Sequence, residues 1–171
     1  RDQETAESAV QSALTGHLVL STLHTNDTAT SVTRMLDLGV LPFLLSSVLV
    51  GVVAQRLVRC ICEHCKVSTL LTHDQIMSLN IPGAEGRELR VGYGAGCVKC
   101  RGTGYRGRTG VFEIMPINSH IRGLIQQEAD ADSIRREALA EGMVTIREYA
   151  IKKMAMGVTT YEEVVRVTSE N

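Results

Sequence analysis

Thr15-Gly16-His17-Leu18-Val19-Leu20-Ser21-Thr22-Leu23-His24-Thr25-Asn26 contains, at residues 18–23, a short apolar and partly β-branched run. Gly16 bounds it on one side and His24-Thr25-Asn26 on the other. That pattern predicts a strand buried on both faces, as in a parallel sheet covered by helices. Periodicity alone would also allow a helix in so short a run. Working outward, residues 3–13 place Ala6, Ala9, Val10 and Ala13 at helical spacing, and Gly16 stops that helix. Asn26 or Asp27 can cap a second helix that turns Ala29, Val32, Thr33, Met35 and Leu36 toward a core before Gly39 ends it. Pro42 suits the first turn of a third helix, running through Leu49 toward Arg59. Helix, strand, helix, helix is half of a layered α/β domain. One strand cannot make a sheet, so its neighbours are expected upstream of Arg1 or in another chain, where they would pair its backbone groups.

The composition, 44% hydrophobic and 22% charged, supports a folded core and excludes a disordered tail. With 4% aromatic residues and no Trp, that core must be mostly aliphatic. A net charge of -1 gives no global positive field to attract nucleic acid. Arg101, Arg106 and Arg108, interleaved with Gly102, Gly104, Tyr105 and Gly107, suggest an RNA-binding loop, but no second aromatic platform accompanies them. No nucleic-acid partner is therefore expected. Residues 40–53 are the longest apolar segment, interrupted by Pro42, Ser46 and Ser47. A buried helix is expected there, because about 14 residues fall short of the roughly 20 that a membrane span needs. Arg1-Asp2-Gln3-Glu4 has none of the pattern of a signal peptide and reads as a cut through a larger intracellular protein.

Composition shifts at Cys60. From there to Gly110, paired cysteines, Pro82 and closely spaced glycines predict loops and short strands organised from outside. Residues 111–115 read as a strand that Pro116 ends. Helices return from Ser119. Thr145 with Glu148, and Thr159 with Glu162, match capping boxes, which place helix starts near Ile146 and Thr160 on either side of Gly157.

Of the 5 cysteines, Cys62-Glu63-His64-Cys65 and Cys97-Val98-Lys99-Cys100 form two C-x2-C pairs separated by residues 66–96. Each pair bends a short loop so that both sulfurs converge, and two such knuckles supply the four soft ligands of a tetrahedral zinc. Reduced cysteines buried by chance and an iron–sulfur or redox site are the competing readings. A disulfide framework is disfavoured without secretory features. Four sulfurs fill the shell and leave no place for an activated water, so the ion would stabilise the fold and perform no reaction. Lys66, Lys99 and Arg101 would offset thiolate charge, and Gly94, Gly96, Gly102 and Gly104 would let the backbone approach closely. His64 lies inside the first knuckle and reads as exposed or hydrogen-bonded to a ligand; Cys60 reads as a small buried hydrophobe.

His24 stands at the C-terminal end of the first expected strand, the edge that faces the ligand crevice in open α/β sheets. His24, Thr25 and Asn26 are thus placed where phosphate could be sensed, although a structural role for the histidine is the plainer alternative. Asp2, Glu4 and Glu7 beside Arg1 read as favourable charges at a helix N-terminus, or as a Mg²⁺ or nucleotide edge. No G-x-x-x-x-G-K-[ST] occurs, so the chain lacks that means of cradling a triphosphate.

Arg1-Asp2-Gln3-Glu4-Thr5-Ala6, the stretch from Thr15 to Asn26, and Gln55-Arg56-Leu57-Val58-Arg59 resemble consecutive blocks of the type II secretion and type IV pilus assembly ATPases. The likeness continues through both cysteine pairs, Gly104-Tyr105-Arg106-Gly107-Arg108-Thr109-Gly110 and Phe112-Glu113. The resemblance implies an α/β fold with a partial RecA-like P-loop NTPase core and His box at 1–59. A tetracysteine zinc-binding subdomain at 60–110 and a strand and helical C-terminal region at 111–171 would follow. It implies a start just after the Walker B acids, with Walker A further upstream. Glu4 and His24 would take part in catalysis, Arg1, Asp2, His17, Thr25 and Asn26 would line the nucleotide edge, and Cys62, Cys65, Cys97 and Cys100 would hold structural Zn²⁺. ATP and Mg²⁺ would belong to the full-length protein. That protein would be a cytoplasmic hexamer, peripheral at the inner membrane through a platform protein of the secretion or pilus machinery. This chain by itself would hydrolyse little or no ATP. The alternative function is a zinc-stabilised protein-binding assembly module without catalysis.

Overall fold

The computed structural model describes residues 2–84 and 86–168. In chain order the elements are α1 (Gln3–Leu14), α2 (Thr28–Asp37), α3 (Pro42–Val48), β1 (Gly51–Ile61), β2 (Lys66–Leu70), α4 (His73–Leu79), β3 (Arg90–Gly94), β4 (Tyr105–Pro116), α5 (Ser119–Gln126), α6 (Ala131–Ala140), α7 (Ile146–Ala155) and α8 (Tyr161–Thr168). β1 pairs with β4, and β2 with β3. One compact unit takes the described residues of Arg1–Ala54 and Glu113–Val144, the other those of Gln55–Phe112 and Thr145–Asn171.

In the first unit, α1 starts where Asp2 accepts from the Thr5 N–H at 2.8 Å, and it buries Ala6 and Val10 one turn apart. Of the two caps the sequence offers α2, Asp27 is used, accepting from the Thr30 N–H at 2.8 Å. Ala29 and Val32 join Leu45, Met115, Ile121, Ile125, Ile134 and Ala138 in one hydrophobic core. Its buried members include no aromatic ring, as the composition predicts. Val32, Ile125 and Ile134 have no exposed surface, and burial of each such side chain contributes about 1.5–3 kcal/mol.

Two expectations for this part of the chain are corrected. Residues 17–25 form neither strand nor helix, and Leu18 and Leu20 are 84% and 88% exposed. A strand exists only through ladder hydrogen bonds, and no described residue supplies a partner strand here. The helix from Pro42 stops at Val48, and the segment expected to continue it to Arg59 is β1. Along β1, Gly51, Val53, Gln55 and Leu57 are exposed while Val52, Ala54, Arg56 and Val58 are half-buried or buried. That period of two, rich in β-branched residues, overrides the simple apolar count. Among the described residues no helix is long and apolar enough to cross a membrane.

In the second unit, β2 and β3 run antiparallel, with Lys66 opposite Gly94 and Leu70 opposite Arg90. α4 appears in a region expected to hold only loops and short strands. Its signal was present, since Thr72 and Gln75 form a reciprocal capping box. β4 begins at Tyr105, earlier than the expected strand at 111–115. α7 starts at the predicted box of Thr145 and Glu148. The second expected box does not form: Thr160 Oγ1 accepts from the Glu163 N–H at 3.4 Å with no return bond, and the Thr159 hydroxyl donates to the Arg59 carbonyl at 2.8 Å. Glu163 thereby turns inward and receives Arg59 and Arg166.

Candidate functional site

β1 ends at Ile61 and delivers Cys62 directly into the first knuckle, where the Cys65 N–H donates to the Cys62 carbonyl at 3.2 Å. The second knuckle is a 3-10 turn at Val98–Cys100 that Arg101 leaves in the left-handed conformation, φ 54°. Backbone bonds tie the knuckles together: the Cys62 N–H donates to the Gly104 carbonyl, and the Ala95 N–H to the Cys65 carbonyl, both at 2.9 Å. Gly94 and Gly104 make the close approach, since a Cβ on Gly94 would lie 2.0 Å from the Gly104 oxygen.

The four sulfurs Cys62, Cys65, Cys97 and Cys100 lie within 4.8 Å of one another. Individual separations are 3.9 Å for Cys62 and Cys97, 3.8 Å for Cys65 and Cys100, and 3.7 Å for Cys97 and Cys100. Disulfide sulfurs stand about 2.05 Å apart, so these cysteines are not bridged. Four sulfurs about 2.3 Å from one ion occupy tetrahedral corners about 3.8 Å apart, and the cluster fits that requirement. The Cys97 and Gly104 N–H groups point at the Cys100 sulfur from 3.2 and 3.3 Å. Burial opposes ionisation of Cys100, but these donors outweigh it and bring the thiol down to about 6. Burial, with hydrogen bonds from the neighbouring thiols, pushes Cys65 up to about 12. His64 is exposed and outside the cluster, and Cys60 is half-buried on β1.

The histidine segment is held at its two ends by different helices. His17 is exposed and folds back on the end of α1, its Nδ1 lying 3.1 Å from Thr15 Oγ1 and 3.2 Å from the Ser12 carbonyl. His24 and Asn26 are exposed, while Thr25 meets Ser31 of α2 at 2.6 Å. Asp27 caps α2 and accepts from Arg135 of α6 at 2.5 Å. Burial raises its carboxyl, but the Thr30 hydrogen bonds and the Arg135 charge carry it below the ordinary aspartate range. Thr28 donates its N–H and hydroxyl to Glu113, at 3.0 and 2.6 Å. Sequence reading gave Glu113 no role of its own; the available signal was a lone acid within an otherwise apolar strand. Asp2 and Glu4 are exposed at the start of α1, and Arg1 lies outside the described residues.

A second cluster joins exposed His120 of α5 to Glu137 and Glu141 of α6, at 3.3 and 2.7 Å. The Glu141 hydrogen bond and both carboxylate charges raise the imidazole above its ordinary value, as a surface ion pair does.

Residues 1–166 match the family described as Type II/IV secretion system protein. The chain belongs to that family. It is 46% identical over 98% of its length to the type IV pilus assembly ATPase TfpB of Acinetobacter baylyi, covering 28% of that protein. It is 46% identical over 99% of its length to the type II secretion system protein E of Pseudomonas aeruginosa, covering 33%. Across these and similar curated relatives the chain spans between 19% and 34% of the relative's length. Among solved structures, the pilus retraction motor PilT with bound ADP superposes with a TM-score of 0.63 at 24% identity, over 99% of this chain and 38% of that one. The ATPase DotB of Legionella pneumophila gives 0.61 at 20% identity, over 99% and 36%. The fold is a mixed α/β arrangement like that of these two structures, with a cysteine cluster and a C-terminal helical segment.

Proposed function

We propose that this chain is the C-terminal part of a hexameric motor ATPase that powers type II secretion or type IV pilus assembly from the cytoplasmic side of the inner membrane. The observation that carries this reading is 45–46% identity over 98–99% of the chain to proteins named for those two machines, which takes in both the histidine segment and the cysteine pairs. The reaction is phosphoryl transfer from ATP to water. In the longer protein a P-loop with Mg²⁺ and a water-positioning acid, all outside this chain, would hold the reacting groups. From this chain, His24, Thr25 and Asn26 sense the γ-phosphate and report it to a subunit interface, with His17 at the other end of the segment. Asp2 and Glu4 line the edge of the nucleotide site, Glu4 next to the catalytic acids. Within this chain, residues 1–59 are the C-terminal part of the ATPase core, 60–110 the tetracysteine subdomain and 111–171 the strand and helical C-terminal region.

Cys62, Cys65, Cys97 and Cys100 hold one structural Zn²⁺, which offsets thiolate charge and ties the knuckles into a rigid contact surface for the machinery. The test is an ATPase assay of this chain beside the longer protein and its His24→Ala variant. The longer protein should hydrolyse ATP, with His24→Ala and the isolated chain far slower. Comparable turnover from the isolated chain would overturn the assignment.

A further inference from the structure

Glu113 lies on β4 between Val111 and Met115, at the same side of the strand, and all three are buried. An isolated carboxylate in such a place is costly unless hydrogen bonds hold it. Glu113 obtains them from a residue 85 positions away: one oxygen, Oε1, accepts both the N–H and the hydroxyl of Thr28. Thr28 is the first residue of α2, and the opening N–H groups of a helix have no partner within it. Asp27 serves the Thr30 N–H, and Glu113 serves the Thr28 N–H, so the two carboxylates divide that task. Both carboxyl groups accept from N–H groups of the first turn of the helix.

This helix start is where the histidine segment arrives. Upstream, residues 17–25 make no ladder and Leu18 and Leu20 face outward. Downstream, Thr25 is tied to Ser31, Asp27 to Arg135 and Thr28 to Glu113. Thr28 is fully buried, which makes its link the most enclosed of the three. We infer that Glu113 is a positioning residue: it fixes the first turn of α2 and thereby the place of His24-Thr25-Asn26. It touches no nucleotide and acts through the loop. The inference rests on the proposed role of His24 in nucleotide sensing.

The test uses the longer protein, with ATP turnover and thermal midpoint measured for Glu113→Ala, Glu113→Gln, His24→Ala and the double variant of His24→Ala with Glu113→Ala. Glu113→Ala is expected to lower kcat about tenfold with KM for ATP within about twofold, since misplacement of a reaction-linked group costs rate more than binding. Glu113→Gln should recover most of the loss, because the amide oxygen still accepts from Thr28. The double variant should be no slower than His24→Ala alone, as residues acting through one element are non-additive. Independent losses that multiply in the double variant, or a Glu113→Ala enzyme with a lowered midpoint and unchanged kcat, overturn the inference. If Glu113→Ala does not fold, Thr28→Val replaces it; a kcat lowered about threefold supports the role and an unchanged kcat overturns it. Normal turnover in His24→Ala overturns the sensing role itself, and the inference with it, a result distinct from failure of the Glu113 arm.

Discussion

Glu163 has no exposed side-chain surface, yet it carries a charge. Burial alone would raise its carboxyl, but hydrogen bonds from Arg166 and Arg59 outweigh that and bring it to about 2 from an ordinary 4.5. As pH falls, the unfolded chain takes up this proton first. The stabilising contribution is therefore complete above pH 4.5 and is lost as pH falls toward about 2. A shift of that size corresponds to on the order of 3 kcal/mol, reduced by solvent screening because both arginine side chains are about half exposed. Urea midpoints measured from pH 7 to pH 2 should stay level and then drop below about 4.5. Glu163→Gln should lower the midpoint at pH 7 and flatten the acid limb, because two arginines then face a neutral amide. An unchanged acid limb in that variant would show that another carboxylate governs it.

At the scale of elements, the knuckles depend on two backbones touching. Gly104 has φ +76° and approaches Gly94 so closely that a Cβ on either would strike the other's main chain. Gly94→Ala should therefore separate the turns that present Cys65 and Cys97, leaving metal content well below one zinc per chain by elemental analysis. Chelation of the wild-type chain should lower its thermal midpoint, since ion binding to the folded ligand set stabilises the fold by mass action. One zinc lost with no change in midpoint would remove the structural role. The same elements show how local signals compete. The alternation along β1 reads as a strand once its period is counted, and Thr72 with Gln75 announces α4 inside a stretch dominated by glycine and cysteine.

For the whole molecule, the exposed run at residues 17–25 separates this chain from the longer protein proposed to contain it. Leu20→Asp should leave the unfolding free energy of the isolated chain within about 0.5 kcal/mol of wild type in a urea titration, as exposed substitutions do. In the longer protein, where neighbouring strands would cover Leu20, the same change should destabilise by several kcal/mol, since it buries an unpaired charge. Equal effects in both would mean that nothing covers the run. Much was legible beforehand: α1 with its Gly16 stop, α2 with one of the two caps the sequence offered, the Thr145 box, the mostly aliphatic core and the convergence of four cysteines all follow from residue type and short spacing. The strand expected at residues 18–23 did not follow, because strand formation requires a partner that local sequence cannot supply. Nor did the reach of Glu113 to Thr28, or the turn of Glu163 toward Arg59, since each joins residues far apart in the chain. Residue order set which local conformations were favourable and which side chains could bind an ion. Which backbone groups found partners and which charges were buried together was left to folding, because those energies depend on neighbours brought from far along the chain.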